Sequence, residues 1–207
     1  MIGYLKLKAV IDMKKKSLIE TIAKYHPDLA TETEASAAVL LMLARDDNDK
    51  IFLVLTKRPD TIATYAGDFC FPGGMKDSNE TDLKKTVVRE VEEELNITPD
   101  LYQFIGQLDD FFDRFNHLVR PYVATIARND FEKHLQISAS EIEEVYFLPL
   151  EDLRKMEVNP TLEELTGRHP SYSYSHDNIF VWGLTATLMV HFANVIYNLK
   201  KPVARHR

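Results

Sequence analysis

Three glutamates, Glu90, Glu93 and Glu94, stand in the run Arg89-Glu90-Val91-Glu92-Glu93-Glu94-Leu95. On an α-helix their side chains fall within an arc of roughly 100°, so they share one face. Like charges gathered this way repel unless a cation lies among them. Hard carboxylate oxygens suit Mg2+ or Mn2+. The same run also fits an ordinary solvated helix face, and Arg89 and Glu93, four residues apart, fit a structural ion pair. The stretch Phe71-Pro72-Gly73-Gly74 upstream adds to the metal reading. Paired glycines let the backbone come close to a ligand and turn a carbonyl toward a metal. Phe71-Pro72 fixes the strand end that presents them. Arg58 adds a planar guanidinium suited to phosphate oxygens, whereas Lys57, next to it on a strand, points to the opposite side.

These residues need elements to hold them. Asp82 to Leu95 reads as a helix, with Val87, Val88, Val91 and Leu95 as its buried stripe and Asn96, tolerant of the left-handed conformation, as its end. Residues 37–44 (AAVLLMLA) and 51–56 (IFLVLT) are apolar runs of strand length around a polar turn, and they read as a hairpin. Residues 57–70 form a loop that leads into a short strand before the glycines. Further strands are expected at 104–108, 118–127 and 143–150, and a short helix at EDLRKM. Ser17 and Glu20 form a capping box for an N-terminal helix that His26-Pro27 ends. Residues 157–178 read as loop, and 179–199 as one long helix. Strands and helices alternate without a regular strand–helix period, which predicts an α/β fold with a mixed sheet and helices on both faces.

The 207 residues carry a net charge of −7, with 45% hydrophobic and 28% charged residues, as in a globular protein. An acidic chain is a poor non-specific nucleic-acid binder. It also needs something to offset the charge of an anionic ligand, and a divalent cation would do so. The single cysteine, Cys70, lies between two phenylalanines and reads as a small buried hydrophobe. One cysteine fits a reducing compartment, and the first 16 residues do not read as a signal peptide, so a cytoplasmic protein is expected. The segment 179–199 approaches the roughly 20 residues of a membrane span. Thr187, His191, Asn194 and Asn198 nevertheless make one polar stripe along it, so it reads as a packed amphipathic helix and no membrane partner is expected. His117, His169 and His176 are isolated and read as surface or capping residues. Phe111, Phe112 and Phe115 read as core or as a homodimer contact, with a base-stacking surface as the alternative. Trp182 reads as core, and Arg120 as facing solvent.

With these residues in place, the stretch 74–97 resembles the Nudix box. Gly74 and Glu80 keep the first spacing, and Arg89-Glu90-Val91-Glu92-Glu93-Glu94-Leu95-Asn96-Ile97 keeps the tail, with Asn96 where the pattern has Gly. Eight residues instead of seven separate Glu80 from Arg89. The extra one falls ahead of the helix, leaves the Arg-Glu-x-x-Glu-Glu register intact and bears on Glu80 alone. Leu55-Thr56-Lys57-Arg58, Gly67 and Phe71-Pro72-Gly73-Gly74 are similar to the signature of the coenzyme A pyrophosphatase branch, which also tolerates the longer box. Pro59 and Ala63 depart from that signature, standing where Ser and a second Arg are expected. Glu141-Ile142 ahead of Pro149-Leu150, and Trp182 to Ala186, extend the likeness.

The resemblance implies a Nudix-like α/β/α sandwich over residues 36–199, with an N-terminal helical extension (1–35) and a C-terminal tail (200–207). It implies metal-dependent hydrolysis of the pyrophosphate bond in a nucleoside diphosphate linked to another group. The first substrate choice is coenzyme A or a derivative; the alternatives are ADP-ribose or another nucleotide sugar, or a nucleotide-binding module without catalysis. The metal ligands it implies are Glu90, Glu93, Glu94 and the Gly74 carbonyl, holding Mg2+ or Mn2+. Glu90, Glu93 and Glu141 are the implied catalytic carboxylates, with a surface acid as the alternative for Glu141. Arg58 and Gly73 are the implied contacts to a small-molecule nucleotide.

Overall fold

The run AAVLLMLAR lacks alternation because both of its faces are covered. In the computed structural model, which describes residues 17–31, 35–61, 65–168 and 170–203, it forms strand β1 (Ala37–Arg45), buried almost throughout. Leu41 and Leu43 face one core, and Leu40, Met42 and Ala44 face the other, as the two-residue strand period requires. β2 (Ile51–Lys57) runs antiparallel to β1, and β7 (Leu118–Ala127) runs parallel on its other side. β5 (Tyr102–Gln107) and β6 (Phe111–Phe112) pair with β7, and β8 (Glu144–Pro149) pairs with β2. The mixed sheet expected from sequence is therefore present.

β1 and β2 pair only where Leu43–Arg45 meets Ile51–Leu53, and then diverge. The segment between Phe69 and Met75 fills the wedge. β3 (Phe69–Cys70) pairs with Thr56 and Lys57 of β2, and β4 (Gly73–Met75) pairs with Ala37–Val39 of β1. Pro72, which has no N–H to offer a ladder, stands at the corner, and its carbonyl accepts from Leu40 N at 2.9 Å. The glycine bend is thus built into the middle of the sheet.

Helices cover both faces. Helix α2 (Leu83–Leu95) lays Leu83, Val87, Val91 and Leu95 on one face of the sheet, with Phe131 of α3 (Arg128–His134) in the same cluster. Asp82 stands just outside α2 and caps it by accepting from Lys84 N; Asn96 ends the helix at φ 58°, the end expected from its tolerance of that conformation. The other face is covered by α1 (17–23), the 3-10 helix Leu150–Lys155 and α5 (Gly183–Tyr197). Ile22 of α1 is 1% exposed and belongs to that core. Ser17 already lies inside the helical run, its carbonyl accepting from Thr21 Oγ1.

Three expectations need correction. Residues 157–178 are not loop. They hold β9 (Glu157–Val158), α4 (Pro160–Thr166) and β10 (Tyr172–His176), and β10 pairs with β9 and with β11 (Ile179–Val181). Tyr172 and Tyr174 supply the buried face of β10, an alternation that the Ser- and Tyr-rich composition hides. The last helix accordingly begins at Gly183, since Ile179–Val181 belong to a strand. Arg120 does not face solvent. It is 2% exposed, with Nε and Nη2 donating to Asp110 at 3.0 and 2.8 Å and Nη2 also donating to Ala30 O.

The polar stripe on α5 is satisfied within the chain. His191 Nε2 lies 3.3 Å from Asp109, Asn194 exchanges hydrogen bonds with Lys201, and Asn198 ends the helix at φ 51°. Among the described residues no helix is long and apolar enough to cross a membrane. The first 16 residues, Ala63, His169 and the last four residues lie outside the described residues.

Candidate active site

The wedge segment lays its bend directly over α2. Gly73 has φ 139°, and a Cβ there would stand 2.3 Å from the Ala38 carbonyl oxygen, so only glycine fits. Its N–H donates to Glu94 Oε2 at 3.1 Å. At Gly74 the obstacle is different: an added Cβ would lie 2.5–2.6 Å from the Glu90 carboxyl group. The two glycines therefore hold two of the three predicted carboxylates against the backbone.

The third carboxylate turns aside. Glu93 is largely exposed and accepts from Arg89 Nη1 at 3.0 Å. Arg89 also reaches Glu90 at 2.8 Å, the Met75 carbonyl at 3.1 Å and Glu80 at 3.1 Å. It ties the helix, the bend and the loop between them into one unit. Glu80 is fixed in turn by Thr86 Oγ1 at 2.7 Å and Asp77 N at 3.0 Å. The extra residue ahead of the helix thus leaves Glu80 in place as the anchor of Arg89. That arginine, with Thr86 and the Asp77 amide, holds the Glu80 carboxyl down at about 2.

Glu94 is the most buried of the set, 3% exposed. Burial pushes its carboxyl up to about 8, against the Gly73 N–H, which favours the ionised form. Burial also raises Glu90 above its ordinary value, opposed by Arg89. Carboxylates in this state suit a cation, which would restore their charged form. Among the described residues no three His, Cys, Asp or Glu side chains converge closely enough to hold an ion as they stand. The donor set fits Mg2+ or Mn2+ in kind, with Glu90 and Glu94 held at the glycine bend and Glu93 paired to Arg89.

Glu141 reaches the site through the end of α2. The orphan carbonyls of the last helical turn are taken by the following loop: Gln136 N donates to Leu95 O and Ser138 N to Glu94 O. The turn closed by Glu141 N to Ser138 O then places Glu141, exposed, on the same cleft as Glu90 and Glu94, and its charge acts on both. The cleft measures about 990 Å³. Arg58 lies on its wall, and its buried Nε has no hydrogen-bond partner among the described residues. Lys57 points away and pairs with Glu143 at 3.0 Å.

Cys70 is half-buried on the cleft wall beside Thr56, and burial raises its thiol to about 11. Trp182 is not core. It lines the cleft and donates from Nε1 to Asp68 Oδ1 at 2.9 Å. Phe111 is core, whereas Phe115 is 52% exposed on the cleft. His117 also lines the cleft, with Nδ1 3.0 Å from Asp113, and His176 pairs with Asp177 at the surface. Sequence reasoning missed Tyr65, Arg114 and Arg168, which line the cleft from three separate loops and carry no shared spacing.

A mixed sheet lies between helices, with a glycine bend laid on an acidic helix turn, an α/β/α arrangement. The family model described as the NUDIX domain matches residues 34–168, well over half of the chain, and the chain belongs to that family. Nudix hydrolase 15, mitochondrial, of Arabidopsis thaliana is 30% identical over 185 residues, covering 86% of this chain and 64% of the relative. The uncharacterized Nudix hydrolase NudL of Photorhabdus laumondii is 29% identical over 172 residues, covering 82% and 89%. The peroxisomal coenzyme A diphosphatase ndx-8 of Caenorhabditis elegans is 32% identical over 122 residues, covering 58% and 51%. The chain thus spans less than two thirds of the length of the Arabidopsis and Caenorhabditis relatives. A MutT/nudix family protein from Enterococcus faecalis superposes with a TM-score of 0.53 at 16% identity over 84% of this chain and 63% of that one, a likeness of fold alone.

Proposed function

We propose that the chain is a metal-dependent Nudix pyrophosphatase that cuts the phosphoanhydride of a nucleoside diphosphate linked to a second group. The observation that carries this is the seating of the Glu90 carboxylate directly beneath Gly74, on a cleft that Arg58 lines with a cationic nitrogen lacking a partner. Glu90, Glu93, Glu94 and the Gly74 carbonyl would hold Mg2+ or Mn2+. When bound there, such an ion would supply positive charge to the phosphate oxygens and lower the pKa of a bound water. Arg58 neutralises a phosphate oxygen with its guanidinium. Gly73 keeps the bend close enough for the diphosphate to approach the backbone, while its N–H orients Glu94. Glu141 takes the proton of the attacking water at a carboxylate oxygen, with Glu90 as the other candidate for that role.

Coenzyme A or a derivative is the first substrate, on the likeness of Leu55 to Gly74 to that branch and on the name of the Caenorhabditis relative. Pro59 and Ala63 favour the second reading, an ADP-ribose or nucleotide-sugar substrate. The site is expected to take a small nucleotide and no nucleic acid, and the cytoplasmic placement rests on the single cysteine. A panel of diphosphate nucleosides with Mg2+, followed by phosphorus NMR, tests the choice. Cleavage of coenzyme A to phosphopantetheine and adenosine 3',5'-bisphosphate supports the first reading. Turnover of ADP-ribose alone replaces it with the second. No turnover of any member leaves nucleotide binding without catalysis.

A further inference from the structure

Four arginines among the described residues have no carboxylate within ion-pair distance: Arg58, Arg114, Arg154 and Arg168. Arg154 stacks on Tyr197, and the other three line one cleft. In a chain of charge −7, that concentration marks where anions are received.

Arg58 acts on the acidic floor, where its charge reaches Glu94 and Cys70. Arg114 and Arg168 instead contact the loop around Asp113 and its aromatic neighbours. The Arg114 guanidinium lies 4.1 Å from the Tyr65 ring centre and 5.0 Å from that of Phe115, and the two rings meet edge to face at 5.6 Å. Arg168 Nη2 donates to the Asp113 carbonyl at 3.3 Å in the same loop. Asp113 organises the group. Its Oδ1 accepts from the Phe115 and His117 amides, both at 2.8 Å, and its Oδ2 meets Tyr65 OH at 3.2 Å and His117 Nδ1 at 3.0 Å. The carboxylate is thus occupied within the loop, while the guanidinium of Arg114 is left without a counter-ion. Tyr65 sits at φ 59°, a conformation that an aromatic residue adopts only when its surroundings impose it. Phe115, 52% exposed, keeps ring surface open on the cleft.

We propose that Tyr65, Arg114, Phe115 and Arg168 form the subsite for the nucleoside half of the substrate. The Phe115 ring stacks on the base, and Arg114 and Arg168 hold a ribose phosphate additional to the diphosphate. This rests on reading the cleft as a nucleoside diphosphate site. The physical reason is the sharing of place: cations gathered around the aromatic group, apart from those at the acidic floor, meet an anion carried by the base's own ribose. Base–aromatic stacking and a guanidinium on a phosphate are the strong contacts available to such a ligand.

Calorimetry with adenosine 3',5'-bisphosphate and with 5'-AMP, in EDTA so that metal bridging contributes nothing, tests the subsite. The wild-type chain is expected to bind the bisphosphate at least tenfold more tightly. In Arg114→Gln and Arg168→Gln that ratio falls toward one. In Phe115→Ala both nucleotides weaken about tenfold and the ratio persists. Equal binding of the two nucleotides by the wild-type chain, or variants that bind as the wild type does, overturns the subsite. Hydrolysis of a diphosphate substrate with Mg2+ is measured alongside. If hydrolysis is absent and the binding pattern holds, the subsite stands and the pyrophosphatase reading falls. If hydrolysis is present and the wild-type ratio is one, only the subsite falls.

Discussion

Gly74 and Glu90 are in contact through an absence: the space a Cβ would fill at Gly74 is taken by the Glu90 carboxyl group, 2.5 Å from that position. The obstacle is the far end of a flexible side chain. Gly74→Ala is therefore expected to fold with a melting temperature close to wild type while displacing the carboxylate. Displacements of about 1 Å at such a group cost on the order of 100-fold in rate. Gly73→Ala is the control. Its Cβ would meet the Ala38 backbone at 2.3 Å with φ at 139°, so its loss is expected in stability, seen in thermal melting.

The Glu80–Arg89 pair sets a pH dependence. Arg89 and the Glu80 carboxyl's other donors hold that carboxyl at about 2, below its usual 4.5. A carboxyl lowered on folding contributes stability that is fully present above 4.5 and is lost as pH falls from 4.5 toward 2. Glu80→Gln is expected to lose about 1 kcal/mol at pH 7, solvent screening keeping the loss modest. The gap from wild type closes in urea unfolding curves taken at successively lower pH within that window. A gap that stays constant down to pH 3 contradicts the ion pair as its source.

Arg120 and Asp110 make a buried pair, 3% and 4% exposed at their side chains. Removing one partner leaves the other charge buried, so Arg120→Met is expected to destabilise the fold by about 3–5 kcal/mol in urea unfolding. The Arg120→Met/Asp110→Leu double variant is expected to regain much of that loss. A single variant within 1 kcal/mol of wild type, roughly the worth of an exposed pair, contradicts the buried assignment.

The sheet's centre and the acidic helix were legible in the chain for local reasons. Buried strands read as unbroken apolar runs, and α2 carries its apolar stripe and its left-handed stop, Asn96, within one short stretch. The glycine bend was legible because at position 73 only glycine fits. What the sequence concealed depends on partners distant in the chain. Arg120 looked exposed until Asp110 and Ala30 enclosed it. Trp182 looked like core until Asp68, 114 residues away, took its indole N–H. Tyr172 and Tyr174 bury an apolar face that a hydropathy reading counts as polar. Glu141 stands on no motif that spacing alone defines, and it reaches the cleft because two loop amides cap the end of α2.

The most direct measurement is Mn2+ uptake by calorimetry on wild type and on the Glu90→Gln/Glu94→Gln variant, with diphosphate hydrolysis followed on the same samples. The wild-type chain is expected to take up Mn2+ at millimolar concentration or below. The variant is expected to lose that uptake, together with hydrolysis by a factor of about 100 or more, the order seen when a charge-stabilising group is removed. Equal uptake and equal hydrolysis by the two proteins would contradict the assignment of these carboxylates.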